Sequence, residues 1–296
     1  MSDGPAVSVV LPAYNEGKTL GEVIDSVRKT LTEHFLSHEI IVVDDASTDN
    51  TAEVALSRNV KLIRFPLNRG VGASRKAGVV AAASNVILTT DTDGTYPVDI
   101  IPSMIQRLSN NDMVIAARTG KKVTESWLKK PPKYLIRKLA CYLSRREIPD
   151  LNSGLRVFKK DVSLKYFYLL PEGHSWESTI TLAFLCNGHP TEFMSADYFL
   201  RKGGHSSFRP FADTYSYISL VIRTVMYFNP LRIFIPLTAT LGTLGVVKTI
   251  YDWNVYHNIG GLDVSILLTT ITVAILGLLA DLIVITHRSH RDYSKG

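Results

Sequence analysis

At 296 residues the chain has room for one large domain or two small ones. With 46% hydrophobic and 20% charged residues and a net charge of +6, its average is that of an ordinary soluble enzyme, but that average hides a polar first part and an apolar C-terminal part. Two cysteines, Cys141 and Cys186, exclude a disulfide framework and lack metal-ligand spacing, so they read as reduced structural thiols in a cytosolic domain.

The opening Met1-Ser2-Asp3-Gly4-Pro5 lacks the basic start of a signal peptide, and the apolar run behind it is too short for one. That run, Val7 to Leu11 closed by Pro12, reads as a buried strand. The loop Ala13-Tyr14-Asn15-Glu16-Gly17 leads into a helical pattern with Leu20, Val23, Ile24, Val27 and Leu31 on one face. Glu39 to Val43 predicts a second strand, ending in Asp44-Asp45-Ala46-Ser47-Thr48-Asp49. A third, Val60 to Phe65, precedes Asn68-Arg69-Gly70-Val71-Gly72, which opens another helix. Val86 to Thr90 is the fourth, and Asp91-Thr92-Asp93-Gly94 follows it. Strands alternating with helices predict an α/β fold, a Rossmann-like mostly parallel sheet with ligands at the carboxyl ends of its strands. The loops after the first, second and fourth strands then converge on one crevice. There Asp91 and Asp93 offer hard oxygens suited to Mg²⁺ or Mn²⁺ carrying a diphosphate. Taken alone, an Asp-x-Asp reads equally as an Asp-rich turn.

Met113 to Ala117 is strand-like and delivers Arg118 near the same crevice. From Arg118 through Lys121, Lys122, Lys129, Lys130, Lys133, Arg137, Lys138, Arg145 and Arg146 the charge is basic, interrupted among acids only by Glu125. This run reads as a solvated face or as a contact for anionic headgroups. No recognition motif accompanies it, which disfavours nucleic acid. Phe211, Tyr215, Ile218, Ile222 and Val225 recur at helical spacing between Arg209 and Arg223, predicting an interfacial amphipathic helix.

Two apolar runs, Ile233 to Ile250 and Val264 to Thr286, are each long enough to cross a bilayer. The loop between them, Asp252 to Asp263, carries no Lys or Arg, whereas Arg223 and Arg232 precede the hairpin and Arg288, Arg291 and Lys295 follow it. The positive-inside rule therefore places both termini in the cytosol, with Trp253 and Tyr256 at the far interface. Lys248 snorkels outward, and Asp281, toward the opposite face, is not expected to pair with it and has no assigned role. The expected domains are a catalytic domain over 1–207, the interfacial region over 208–232, and a transmembrane hairpin with a cytosolic tail over 233–296.

Val9 to Glu16, Ile41 to Asp49, Asn68-Arg69-Gly70 and Asp91-Thr92-Asp93-Gly94 resemble, in order and spacing, the motifs of family 2 glycosyltransferases of the GT-A fold. Asp150-Leu151-Asn152-Ser153-Gly154-Leu155-Arg156 and the stretch from Arg201 to Arg232 resemble the polyprenyl-phosphate branch, which includes dolichyl-phosphate mannose synthases. The resemblance implies that Pro12, Tyr14, Asn15 and Glu16 shape a nucleotide pocket with Thr92, that Asp44 and Asp45 hold base and ribose, and that Asp91 and Asp93 bind the metal. Relatives often carry a Gln where this chain has Thr95, which leaves Thr95 or water as the further ligand. A second departure is Gly173 to Thr179, where relatives often carry aromatic-rich sequence and a Glu slightly later, which points to an altered acceptor or sugar pocket. Glu177 reads either as that acid shifted in register or as a helix-start residue.

The implied activity is inverting transfer of a hexose from a UDP- or GDP-linked sugar to a polyprenyl phosphate, undecaprenyl or dolichyl, with a homo-oligomer left open. A phosphate acceptor is already anionic and needs gripping more than deprotonation. Arg118 is the first choice for that grip, followed by Arg201 and Arg156, the last also readable as a structural partner of Asp150. Asp91, Asp93 and Arg118 are thus the candidate catalytic residues. The alternatives are transfer to a lipid or glycan hydroxyl, for which Asp150 is the best candidate base, and a catalytically silent membrane scaffold.

Overall fold

The computed structural model describes residues 4–119, 137–138, 140–142, 144–173, 175–199, 222, 226–227 and 229–293. Arg201, most of the 208–232 segment and the basic residues between 121 and 133 lie outside the described residues, with the expectations placed on them. The chain divides into two compact units, Met1–Val221 and Ile222–Gly296.

The first unit is built on a seven-stranded sheet in the order β3-β2-β1-β4-β6-β5-β7. Its strands are β1 (Val7–Ala13), β2 (His38–Asp44), β3 (Lys61–Arg64), β4 (Val86–Thr89), β5 (Met113–Ala117), β6 (Arg156–Lys159) and β7 (Thr191–Ser195). All pairings are parallel except those of β6 with β4 and β5. Strands that read as unbroken apolar runs are the ones buried on both faces: every residue of β1 and β5 is buried. The unit's helices among the described residues include α1 (Leu20–Glu33), α2 (Thr51–Ser57), α3 (Val71–Ala81), α4 (Ile101–Arg107), α5 (Lys160–Leu164) and α6 (Trp176–Cys186). In α1 the predicted face is the buried one, with Leu20, Ile24, Val27 and Leu31 fully enclosed.

Register brings the strand ends together. Ala13 of β1 pairs with Asp44 of β2, and Val10 of β1 with Thr89 of β4. The loops beyond these strands therefore open at one edge. Antiparallel β6 aligns Arg156 with both Thr89 and Ile115, so the chain just before β6 arrives at that same edge.

The second unit is a helical hairpin, α7 (Leu231–Tyr256) and α8 (Gly261–Tyr293). Each contains a stretch long and apolar enough to cross a bilayer, with mean hydropathy 1.6 and 2.4 and only 6% of either window buried. Glycines let the helices approach: a Cβ on Gly277 would lie 2.6 Å from Phe234 Cβ, and one on Gly245 2.9 Å from Ile266 Cγ2. The connecting loop is shorter than the sequence predicts. Helix α7 continues past Asp252 because Asp252 and Lys248 form an i,i+4 pair at 2.5 Å, and the turn is left to residues 257–260. Lys248 also reaches Asp263 at 2.7 Å, and Asp263 accepts the Gly260 N–H at 2.8 Å. The expected snorkelling lysine is thus an interhelical tie.

Helix α3 lies so close to β1 that a Cβ on Gly78 would stand 2.3 Å from Val10 Cγ1. Gly78→Ala should destabilise the protein by about 1–3 kcal/mol through overpacking, against about 1 kcal/mol regained in helix propensity. Adding Val10→Ala should recover part of the loss, as read from thermal unfolding of the purified full chain.

Candidate functional site

The loop after β1 and the loop after β2 are bonded into one frame. Asn15, with φ 55°, donates its N–H to Ser47 Oγ at 2.9 Å and accepts the Thr48 N–H on Oδ1 at 2.8 Å. The Glu16 N–H goes to Thr51 Oγ1 at 2.9 Å, and Thr92 Oγ1 to the Pro12 carbonyl at 3.1 Å. Asparagine tolerates the left-handed backbone this turn requires. Tyr14 stands half exposed at the rim. Thus Pro12, Asn15, Glu16 and Thr92 tie the loops after β1, β2 and β4 to one another.

The two aspartates after β2 part company. Asp44 gives Oδ1 to the Ser47 N–H at 2.9 Å, while its buried Oδ2 accepts no hydrogen bond and lies 3.2 Å from Arg64 Nε. Asp45 spends both oxygens on the next loop, accepting the Arg69 N–H at 2.7 Å and the Gly70 N–H at 2.8 Å. Of the pair expected to hold base and ribose, Asp44 is buried and ion-paired with Arg64, and Asp45 braces the next loop. Two bare N–H groups at the turn into α3 demand a carboxylate, and Asp45 is the one within reach.

Asp91 and Asp93 sit at the end of β4, beyond its pairing with β1. Asp91 accepts Arg75 Nη2 on Oδ1 at 2.7 Å, and its other oxygen lies against Gly154, where a Cβ would stand 2.4 Å from Oδ2. The Gly154 N–H is held in turn by the buried Tyr96 hydroxyl at 2.8 Å, and burial pushes that phenol's pKa up, keeping it neutral. Asp93 accepts the Thr95 hydroxyl at 2.7 Å and the Thr95 N–H at 3.2 Å on Oδ1. The Thr95 hydroxyl is fully buried and donates to Asp93, so Thr95 orients that carboxylate. Among the described residues no three acidic, histidine or cysteine side chains cluster as a closed metal cage. Two carboxylates fit Mg²⁺ or Mn²⁺ nonetheless, because such ions retain waters and take their remaining oxygens from a substrate phosphate. The side-chain-free cradle at Gly154 leaves room for one carboxylate orientation there.

Arg118 follows β5 and forms a fork with Asp150: Nε to Oδ2 at 2.6 Å, Nη2 to Oδ1 at 2.8 Å, and its N–H to Oδ2 at 3.1 Å. Its guanidinium stacks 5.3 Å from the Tyr198 ring centre. Burial pushes the Asp150 carboxyl up, but the Arg118 hydrogen bonds and charge outweigh it and hold the group below the usual carboxylate range. A carboxylate so held is a poor proton acceptor near neutrality. The expected pairing of Asp150 with Arg156 is therefore replaced by one with Arg118.

Arg156 is fully buried. It donates to the Glu177 carbonyl and to Thr181 Oγ1, both at 3.1 Å, and to the Ser153 carbonyl, beside the Trp176 ring. Burial pulls its pKa down to about 10 against the support of the Glu177 charge. An enclosed guanidinium with these partners is an internal strut, which corrects its expected role on an acceptor phosphate.

One residue escaped the sequence reading. Arg75 of α3, 1% exposed, bridges Asp91 and Glu177 and lies 5.5 Å from the Trp176 ring centre, while its Nε has no hydrogen-bond partner. Glu177 is thus the buried counter-charge of Arg75 at the start of α6. The available signal was Arg75's place three and four residues before Gly78 and Val79, on the packing face of α3.

With this geometry in hand, comparison with known proteins is decisive on family. Residues 8–167, more than half the chain, match the profile of glycosyl transferase family 2, and residues 229–285 match the GtrB C-terminal hairpin. The chain belongs to glycosyl transferase family 2. It is 34% identical over 171 residues to a dolichol-phosphate mannosyltransferase of Pyrococcus furiosus, covering 53% of this chain and 47% of that one. It is 28% identical over 162 residues to an undecaprenyl-phosphate 4-deoxy-4-formamido-L-arabinose transferase of Proteus mirabilis, covering 53% and 49%. The chain spans about half the length of the curated relatives it matches. Among solved structures it resembles glucosyl-3-phosphoglycerate synthase of Mycobacterium tuberculosis, in complex with Mn²⁺, UDP-glucose and phosphoglyceric acid, with TM-score 0.59, 20% identity and coverage of 75% and 80%. It also resembles mannosyl-3-phosphoglycerate synthase of Rubrobacter xylanophilus, with TM-score 0.60, 20% identity and coverage of 74% and 73%. These likenesses establish the GT-A fold, and the hairpin match marks α7 and α8 as a membrane-inserting element.

Arg156→Met should remove the strut without touching the crevice. Several buried acceptors lose their donor, so the full chain should be destabilised by about 3–5 kcal/mol. Thermal unfolding of the purified full chain checks this.

Proposed function

We propose that this family 2 member is a membrane-bound, metal-dependent glycosyltransferase. It would move a hexose, with inversion, from a nucleotide diphosphate sugar to a polyprenyl phosphate. The carrying observation is the division of charges at one sheet edge. Asp91 and Asp93 offer oxygens on the donor side, Arg118 offers positive charge beside them, and the nearest candidate base, Asp150, is tied to Arg118. The names of the curated relatives, transferases of dolichol or undecaprenyl phosphate, support the same acceptor class.

In this reading the bonded loops after β1 and β2, with Asp44 and its partner Arg64, fix the nucleotide. Asp91 and Asp93 would hold Mg²⁺ or Mn²⁺, which when bound neutralises charge on the diphosphate as it leaves. An acceptor phosphate oxygen forms the new bond to the anomeric carbon as the bond from that carbon to the diphosphate breaks, and no proton has to be removed. Arg118 steadies the acceptor phosphate. Because Asp150 occupies Nε and Nη2, the phosphate meets the Nη1 side of the guanidinium. Arg201 remains a candidate for a second contact. A hydroxyl acceptor is disfavoured because it would need a base that Asp150 cannot supply.

Radiolabelled sugar should pass from a sugar nucleotide into a butanol-extractable, mild-acid-labile lipid. Asp93→Ala should abolish that transfer while the protein stays folded and membrane-bound, as should EDTA added to the wild type. Full activity in excess EDTA would sink the metal assignment. Arg118→Ala should lower kcat/KM for the lipid phosphate about ten- to a hundredfold, the worth of one hydrogen bond to a charged group, with nucleotide affinity unchanged. Equal use of a neutral polyprenol would overturn the base-free reading.

We further propose that the catalytic unit and both termini face the cytosol, on the strength of the Lys/Arg-free turn between α7 and α8. A cysteine placed at Asn258 should react with an impermeant thiol reagent added to intact cells, and one at Ser294 should not. The reverse labelling would invert the topology.

A further inference from the structure

A guanidinium is rarely buried against a carboxylate that a metal needs. Arg75 is 1% exposed and holds Oδ1 of Asp91 at 2.7 Å, so that oxygen is already engaged before any cation arrives. The other oxygen of Asp91 is backed by Gly154. On its far side the same guanidinium donates to Glu177, which is 7% exposed, and its Nε stands without a hydrogen-bond partner near the Trp176 ring. Arg75 therefore has two carboxylates and a stacking face, enough to stay buried if either carboxylate is drawn elsewhere.

We propose that Arg75 is a resident counter-cation that makes metal capture at Asp91 depend on the nucleotide diphosphate. This rests on the reading of Asp91 and Asp93 as the metal carboxylates. Positive charge fixed within hydrogen-bonding distance of Asp91 lowers its attraction for a second cation. The diphosphate restores the missing negative charge and supplies oxygens of its own, so cation and nucleotide bind together and not in isolation. Glu177 sets the strength of the effect, because it neutralises part of the Arg75 charge and gives the guanidinium a place to remain when Asp91 turns to the metal. Arg75 is a positioning residue here. It acts through Asp91.

The opposite signs of two variants separate this role from simple support of the fold. Mn²⁺ binding to the full chain in detergent is followed by the loss of the free-ion electron paramagnetic resonance signal, with no nucleotide, with UDP and with GDP. The wild type should bind Mn²⁺ weakly alone and at least about tenfold more tightly with whichever nucleotide it accepts, the scale on which one nearby charge moves an ionic equilibrium. The charge-balanced double variant Arg75→Met/Glu177→Gln should bind Mn²⁺ alone about tenfold more tightly than wild type and lose most of the nucleotide enhancement. Glu177→Gln by itself leaves Arg75 more positive and should weaken nucleotide-free binding. Arg75→Lys, which keeps the charge, should stay near wild type.

If the wild type binds Mn²⁺ equally well with and without nucleotide, the counter-cation role is overturned while the metal site stands. The same holds if both the double variant and Glu177→Gln weaken binding. If Mn²⁺ fails to bind even with both nucleotides present, the metal assignment itself falls.

Discussion

Two guanidiniums buried on one indole govern the centre of this molecule. Arg75 and Arg156 both lie within 6 Å of the Trp176 ring and both are essentially sealed from solvent. An ion so placed costs several kcal/mol to desolvate unless it is surrounded by acceptors, and the surroundings here are arranged accordingly. The Glu177 carboxylate serves Arg75 while the Glu177 carbonyl serves Arg156, so the first turn of α6 answers both charges. Asp91 is the remaining partner, and its place at the end of β4 is as much a demand of the buried charges as of any ligand.

The sheet makes this arrangement possible by one reversal of direction. Parallel strands alone would carry every loop after a strand to one edge and every loop before a strand to the other. Because β6 runs antiparallel between β4 and β5, the segment preceding it, Asp150 to Leu155, lies at the edge where β4 and β5 end. That segment and the first residue of β6 place Gly154 behind Asp91, Asp150 beside Arg118, and Arg156 beside Trp176. The donor-side and acceptor-side candidates are thus braced by one short stretch of chain.

The alternation of apolar runs and polar loops was readable in the sequence, and β1, β2, β4 and β5 lie within a residue or two of their predicted bounds. Chain direction in β6 and the length of α7 were not readable, since neither leaves a periodic trace. The same limit applied at the site. Asp44 and Asp45 are chemically identical neighbours, and only the three-dimensional course of the Asn68-Arg69-Gly70 loop decides that Asp45 is consumed by it. Arg156 stood in a recognisable motif but faces inward, because its strand pairs on both sides and its side chain meets Trp176. Arg75 was passed over for the opposite reason: an arginine in a helix reads as surface, unless its neighbours at i+3 and i+4 are examined for burial.

The fork between Arg118 and Asp150 bears most directly on the kind of chemistry the crevice supports. A carboxylate hydrogen-bonded to a guanidinium through both oxygens is kept ionised but drained of basicity, while the guanidinium is fixed in place and not neutralised at its outer edge. Such a pair stabilises an anion and does little for proton removal. An acceptor that enters as an oxyanion gains from it, whereas an alcohol gains little. In the proposed reading the donor side is constrained the other way, since Arg75 offsets part of the negative charge that Asp91 and Asp93 present until a diphosphate adds its own. In the proposed reaction the anionic acceptor meets the outer edge of Arg118, and the anionic donor with its cation meets Asp91 and Asp93.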